Sequence, residues 1–262
     1  LSVDQLIPEQ QLQQWKSKAL HGKYRTLLES DKIDTFASTA YLRSGNLFAE
    51  TEGFISAIQD QVIATKGYKR NIMRERQDNI RCRVCGEKDE YLDHIIAGCS
   101  MLAPKSYLDR HNRVGKIIHQ SLREKYLELT EIVPYYLYEP PAGCEDEQTR
   151  LSWNRKIITD RPISNNIPDI VLTLKNENKT YIVDFAVPLG ANLEKTHGEK
   201  INKYLPLSDE IRQMWDMETV VIIPIVIGAT GEISKKLKTS LQQLGLPFEL
   251  YLPMQKSVVL DT

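Results

Sequence analysis

Three cysteines and a histidine fall in one short window as Cys82, Cys85, His94 and Cys99, spaced C-x2-C-x8-H-x4-C. A two-residue gap lets a tight turn place both thiolates on one ion. The compact loop beyond it brings the imidazole and the last thiolate to the remaining tetrahedral corners. Gly86, next to the second cysteine, supplies the backbone freedom that the turn needs. The pattern predicts a structural zinc, because protein fills all four positions and no corner stays open for a reactive water. So small a module holds little apolar material, and metal binding must supply much of its folding free energy. Cys144 stands far from the cluster and is expected to be a half-buried structural thiol. Cysteines at metal spacing also point to a reducing compartment rather than a disulfide framework.

A second constellation is built from oxygen and nitrogen. Asp169 follows Pro168, and Asp184 interrupts the otherwise apolar stretch from Ile182 to Pro188. With a turn within 176–179, two strands over 169–174 and 180–187 pair so that Asp169 lies opposite Asp184 or one diagonal step away, on the same face. Like charges opposed beside Ile170 and Phe185 cost stability unless a cation sits between them, and this donor set suits magnesium or manganese. Lys200, Lys203 and Tyr204 stand at i, i+3 and i+4 of a following helix, so one face presents two ammonium groups and a phenol. One lysine is suited to orienting an attacking water and the other to stabilising charge on a phosphate; the spacing leaves open which does which. The chemistry indicated is metal-assisted cleavage of a phosphodiester.

The elements that must position these groups follow from periodicity. Residues 1–79 read as mainly helical, with a helix over 52–64 capped by Thr51, and a further helix spans 106–129. Pro134 and the cluster over 140–143 break the chain into loop. After the hairpin, a helix runs over 192–204 and stops at Pro206, and another restarts from a Ser208 cap to Trp215. A strand buried on both faces is expected over 220–228, a helix over 232–244 and a last strand over 248–252. The order predicts an α/β fold, a mixed sheet covered by helices.

Lysine and arginine number 34 against 35 acids, which argues against coating nucleic acid by bulk charge. Local placement matters more: Arg74, Arg76, Arg81 and Arg83 crowd into the approach to the cysteines and suit phosphate contacts, although a charge run by itself is more often a solvated helix face. Arg161 is suited equally to a phosphate or to an internal ion pair. Trp153 suits stacking on DNA or, more commonly, burial. His197 is expected to face solvent, and His111 and His119 to form a helical surface pair rather than ligands. No apolar run is long enough to span a bilayer. The chain begins at Leu1 without methionine or a secretory leader, and reads as an excised fragment.

These residues resemble the C-terminal region of site-specific non-LTR retrotransposon proteins, in which a linker after the polymerase thumb, a zinc knuckle and a PD-(D/E)xK restriction-like endonuclease follow one another. The resemblance rests on residues 47–53 and 57–61, the knuckle spacing, Thr159-Asp160-Arg161, Pro168-Asp169, Asp184, Lys200-x-x-Lys203-Tyr204 and residues 211–215. It implies a helical linker at 1–79, a CCHC knuckle at 80–105 and an endonuclease at 106–262. It also implies nicking of double-stranded target DNA in the nucleus to leave a 3′ hydroxyl for target-primed reverse transcription, with element RNA and the rest of the protein as further partners. In ordinary restriction enzymes a lysine lies two residues after the second acid, where this chain has Ala186. The resemblance implies that the lysine function has moved to Lys200, with Lys203 and Tyr204 beside it. Glu139, Glu194 and Glu199 are candidates for a third acid. The rival readings are a nucleic-acid binding module with weak or no cleavage, and a structural domain with a degenerate site.

Overall fold

Long apolar runs build the middle of a sheet, and helices cover both of its faces. The computed structural model describes residues 8–129 and 131–262; positions 1–7 of the expected linker and position 130 lie outside the described residues. The N-terminal part is helical as expected: α1 (Glu9–Lys16), α2 (Lys23–Leu28), α3 (Thr35–Ser38), α4 (Ala40–Ser44), α5 (Ala49–Gln59) and α6 (Lys66–Asn71). Helix α5 begins two residues before the expected Thr51 cap, with Glu50 and Glu52 in its first turn complementing the helix dipole. It also stops short of residue 64, because Gln61 turns to a φ of +60°.

Short α7 (Leu92–Ala97) carries His94 between Cys85 and Cys99, and α8 (Leu108–Tyr126) follows a single π-turn over Ala103–Tyr107. Two strands not expected from the pattern come next, β1 (Gly143–Glu145) and β2 (Thr149–Trp153). The hairpin is β3 (Ile170–Leu174) and β4 (Lys179–Ala186), each within one residue of its expected start, and Asn178 closes the turn at a φ of +50°. Then come α9 (Leu193–Met214), β5 (Thr219–Val226), α10 (Lys235–Gln243) and α11 (Tyr251–Leu260). The described strands form one mixed sheet in the order β1-β2-β3-β4-β5, antiparallel up to β4 and parallel between β4 and β5. Parallel neighbours need a long crossover, which α9 supplies.

Thr180 to Phe185 in β4 are all buried, so the strand separates two apolar layers. On one side Leu172, Val183, Phe185 and Ile223 meet Val114, Ile118 and Leu122 of α8, Leu241 of α10, and Met254 and Val258 of α11. On the other Val171 and Ile182 meet Tyr204, Leu207 and Ile211 of α9. Each such side chain contributes about 1.5–3 kcal/mol on burial. Gly115 lets α8 approach closely, since a Cβ there would collide with Trp153 and Phe185.

Two expectations are corrected. Pro206 does not stop its helix: α9 runs through it to Met214. Proline withholds one bond from the Asn202 carbonyl. It does so on the exposed side, while Tyr204, Leu207 and Ile211, all fully buried, hold the helix to the sheet. The strand expected over 248–252 is instead a 3-10 turn at Phe248–Leu250 leading into α11. Pro253 explains the preference, because in a first helical turn its missing N–H has no partner to lose. Met254 and Val258 then share one inward face.

Candidate functional site

The ligand atoms of Cys82, Cys85, His94 and Cys99 all lie within 4.8 Å of one another, so the fold gathers a Cys3His set that fits a tetrahedral ion such as zinc. Cys85 Sγ is 3.3 Å from His94 Nε2, so Nε2 faces the sulfurs. Amide groups point at the sulfurs, Val84 N at Cys82 Sγ and Glu87 N at Cys85 Sγ, each at 3.4 Å. Backbone donors from Lys88 and Glu87 hold the Cys85 thiol pKa down to about 6, whereas burial raises that of Cys99. Tyr107 ties the cluster to the start of α8: its hydroxyl donates to Ile95 O at 2.6 Å and accepts from Cys99 N at 3.1 Å. The fully buried Arg110 adds a bond to Ile96 O at 2.8 Å.

Asp184, 1% exposed, is turned toward α9. Its Oδ1 accepts from Tyr204 Oη at 2.6 Å and from Lys203 Nζ at 3.3 Å, and its Oδ2 pairs with Lys200. All three partners come from one face of α9, as the i, i+3, i+4 spacing predicted. The Lys200 contact lacks hydrogen-bond geometry, so Oδ2 is a buried oxygen without a donor aligned on it. Burial, then the Asp184 carboxylate, push the Tyr204 hydroxyl pKa well up.

Ile170 pairs with Val183, so Asp169, one residue before β3, continues the register to Asp184. Its Oδ2 accepts from Phe185 N at 2.7 Å and faces His111 Nε2 at 3.1 Å. His111 Nδ1 lies 3.1 Å from Asn112 Oδ1, and the ring packs edge-on against Phe185. Burial disfavours the charged imidazole, but the Asp169 carboxylate outweighs it and the His111 pKa is raised. The charge of Asp169 is felt at Tyr204 and that of Lys200 at His111, so the two acids and their partners form one electrostatic cluster.

His111 and His119 are therefore not a surface pair. His119 is fully buried, with Nδ1 2.7 Å from Tyr138 Oη and its ring edge-on to Trp153. The missed signal was periodicity: His111, Gly115, Ile118, His119 and Leu122 occupy one stripe of α8, and the stripe faces the sheet. His197 is part-buried rather than solvent-facing, with Lys236 and Glu194 as neighbouring charges. Trp153 is packed against His119 and Phe185, and Cys144 is half-buried in β1.

The arginine strip is partly paired within the chain. Arg74 is exposed, but Arg76 pairs with Asp78 at 3.2 Å and Arg81 with Asp89 at 3.5 Å. Arg83 grips the buried Glu90 with two bonds of 2.9 and 2.6 Å, and Arg161 pairs with Glu210. Each candidate third acid is engaged by its own lysine: Glu139 by Lys116, Glu194 by Lys236, Glu199 by Lys195.

No protein-family model matches the chain, and no curated protein matches it either. No described helix is long and apolar enough to cross a membrane.

Proposed function

We propose that this chain is a metal-dependent DNA endonuclease, the cutting part of a non-LTR retrotransposon protein, which nicks target DNA to leave a 3′ hydroxyl for target-primed reverse transcription. The observation that carries the reading is the buried Asp184 carboxylate, met by Tyr204, Lys203 and Lys200 from one helix face, with Asp169 beside it in register. Burying a carboxylate costs several kcal/mol before its partners offset it, and a core position gains nothing from it that an apolar side chain would not supply. Perturbed groups concentrated in this way favour a working site.

The donor set fits a hard divalent cation. It offers two carboxylates at one end of the sheet, Asp169 and Asp184, with the Lys200 ammonium on Asp184 Oδ2, which a bound cation would displace. Magnesium or manganese, when bound, supplies polarisation of the phosphate and a water acidic enough to attack phosphorus. Every other task falls to the chain. Asp169 and Asp184 would hold the cation. One of Lys200 and Lys203 neutralises charge developing on the phosphate, and the other holds the water. Tyr204, kept protonated by burial and by Asp184, orients that carboxylate and does not take a proton itself. The Cys3His cluster is a structural zinc site on this reading. Double-stranded target DNA, element RNA and the rest of the retrotransposon protein are the partners, and the nucleus is the place of action.

The test is nicking of supercoiled plasmid with magnesium or manganese by the wild-type chain and by Asp184→Ala. Wild type is expected to convert plasmid to the open circle and the variant to leave it supercoiled. Equal conversion by both sinks the proposal.

A further inference from the structure

Beyond β2 the chain turns at Asn154, whose φ is +48°, and is pinned to the loop that carries Asp169. Asn154 N donates to Asp169 O at 2.8 Å, Ile157 N donates to Asn166 O at 2.8 Å, and Asn166 Nδ2 returns a bond to Ile157 O at 3.1 Å. Ile157 is buried in the α9 layer. Between these anchors stand Arg155 and Lys156, both exposed, and neither has an ion pair or a side-chain hydrogen bond among the described residues. They contrast with Arg76, Arg81, Arg83 and Arg161, whose charges are matched by carboxylates.

Arg155 and Lys156 line a groove of about 580 Å³ together with Arg150, Ser152 and Trp215. Glu145, the carboxylate on its wall, is already held by Arg150 at 3.0 Å and by Lys175 at 2.7 Å. The groove therefore keeps uncancelled positive charge, mounted on backbone that is fixed to the Asp169 loop. We propose that Arg155 and Lys156 are phosphate contacts for double-stranded DNA, and that this groove leads one strand toward Asp169 and Asp184. The identity of the polymer rests on the endonuclease reading; the groove and its free charges do not.

The experiment measures binding of a fluorescent DNA duplex by anisotropy as salt is varied. It uses Asp184→Asn chain, loaded with zinc and free of magnesium and manganese, so that nothing is cut. Arg155→Gln with Lys156→Gln is expected to weaken binding about tenfold or more at 0.1 M salt, and to flatten the slope of log affinity against log salt by about 1.8, at about 0.9 per phosphate contact. Lys32→Gln with Lys235→Gln removes the same charge outside the groove and is expected to leave the slope unchanged. Both pairs are exposed, so their melting temperatures should match the parent's. An unchanged slope in the groove variant, an equal loss in the control pair, or tighter binding of an RNA duplex of the same sequence overturns the proposal. Nicking is scored separately on the wild-type chain. Groove-dependent binding without nicking would remove the endonuclease reading and leave the groove. Nicking with binding indifferent to Arg155 and Lys156 would do the reverse.

Discussion

His111 Nε2 lies 3.1 Å from Asp169 Oδ2, the same oxygen that takes the Phe185 amide at 2.7 Å. Two donors on one oxygen fix the carboxylate and leave Oδ1 as the oxygen without a protein donor among the described residues. If Asp169 is a cation ligand, as proposed, a histidine that holds it in this way acts on metal affinity, and loss of such a contact costs about 10- to 100-fold. His111→Ala is expected to weaken manganese binding by at least about tenfold in calorimetry, beyond what its lowered melting temperature explains, and His111→Asn to recover part of it. Manganese affinity equal to wild type in His111→Ala would show that the contact is only packing.

Tyr204 and the lysines should separate on rate. Tyr204 Oη to Asp184 Oδ1 is a buried bond to a charged acceptor, so Tyr204→Phe is expected to destabilise by about 1–3 kcal/mol in urea unfolding. Lys200→Met takes one of two cations from the buried Asp184 carboxylate, so it should destabilise as well, but it should also slow nicking by about 100-fold or more. Single-turnover nicking alongside urea melts distinguishes the two. Lys200→Met nicking at the wild-type rate would take Lys200 out of the chemistry.

With zinc in the Cys3His cluster, as proposed, its removal should be felt beyond that cluster. Tyr107 and Arg110 bind carbonyls of residues 95 and 96, between His94 and Cys99, and His111 comes next on the same helix. Cys99→Ser is expected to lose zinc and, with it, amide-exchange protection over residues 80–111, while the rest of α8 stays protected. Added magnesium should not restore nicking to the zinc-free protein, because the segment that orients Asp169 has loosened. Undiminished protection across residues 103–111 would show the knuckle to be energetically independent of α8.

The parts legible in the sequence are those set by local spacing. The C-x2-C pair with His94 and Cys99, the hairpin register joining Asp169 to Asp184, and the i, i+3, i+4 face of α9 all depend on residues close along the chain. What was not legible depends on distant packing. Pro206 reads as a stop until the sheet that holds Tyr204, Leu207 and Ile211 is known. Strands β1 and β2 are short and lie in a proline-rich region, so only pairing with β3 makes them strands. Arg81, Arg83 and Arg161 look free in sequence because Asp89, Glu90 and Glu210 reach them through the fold. The inward position of the two helical histidines, by contrast, is already written in the α8 stripe.

His119 sets a pH limit on the fold. It is fully buried, its Nδ1 meets the Tyr138 hydroxyl at 2.7 Å, and Arg123 Nη1 donates to that hydroxyl at 3.4 Å. Burial first, then the Arg123 charge, push its pKa from 6.5 down to about 3. The unfolded chain therefore binds a proton below pH 6.5 that the folded chain refuses until about pH 3. The stabilisation is complete above 6.5 and declines as pH falls through that window. A full shift of this size corresponds to roughly 3–5 kcal/mol. His119→Gln cannot titrate, so it should start less stable at pH 7.5 yet lose less on acidification. Loss of zinc from protonated thiolates affects both proteins alike, and the difference between their urea-unfolding free energies isolates the histidine. That difference is expected to shrink steadily from pH 7 to pH 5; a constant gap would mean that His119 accepts its proton in the folded state as readily as in the unfolded one.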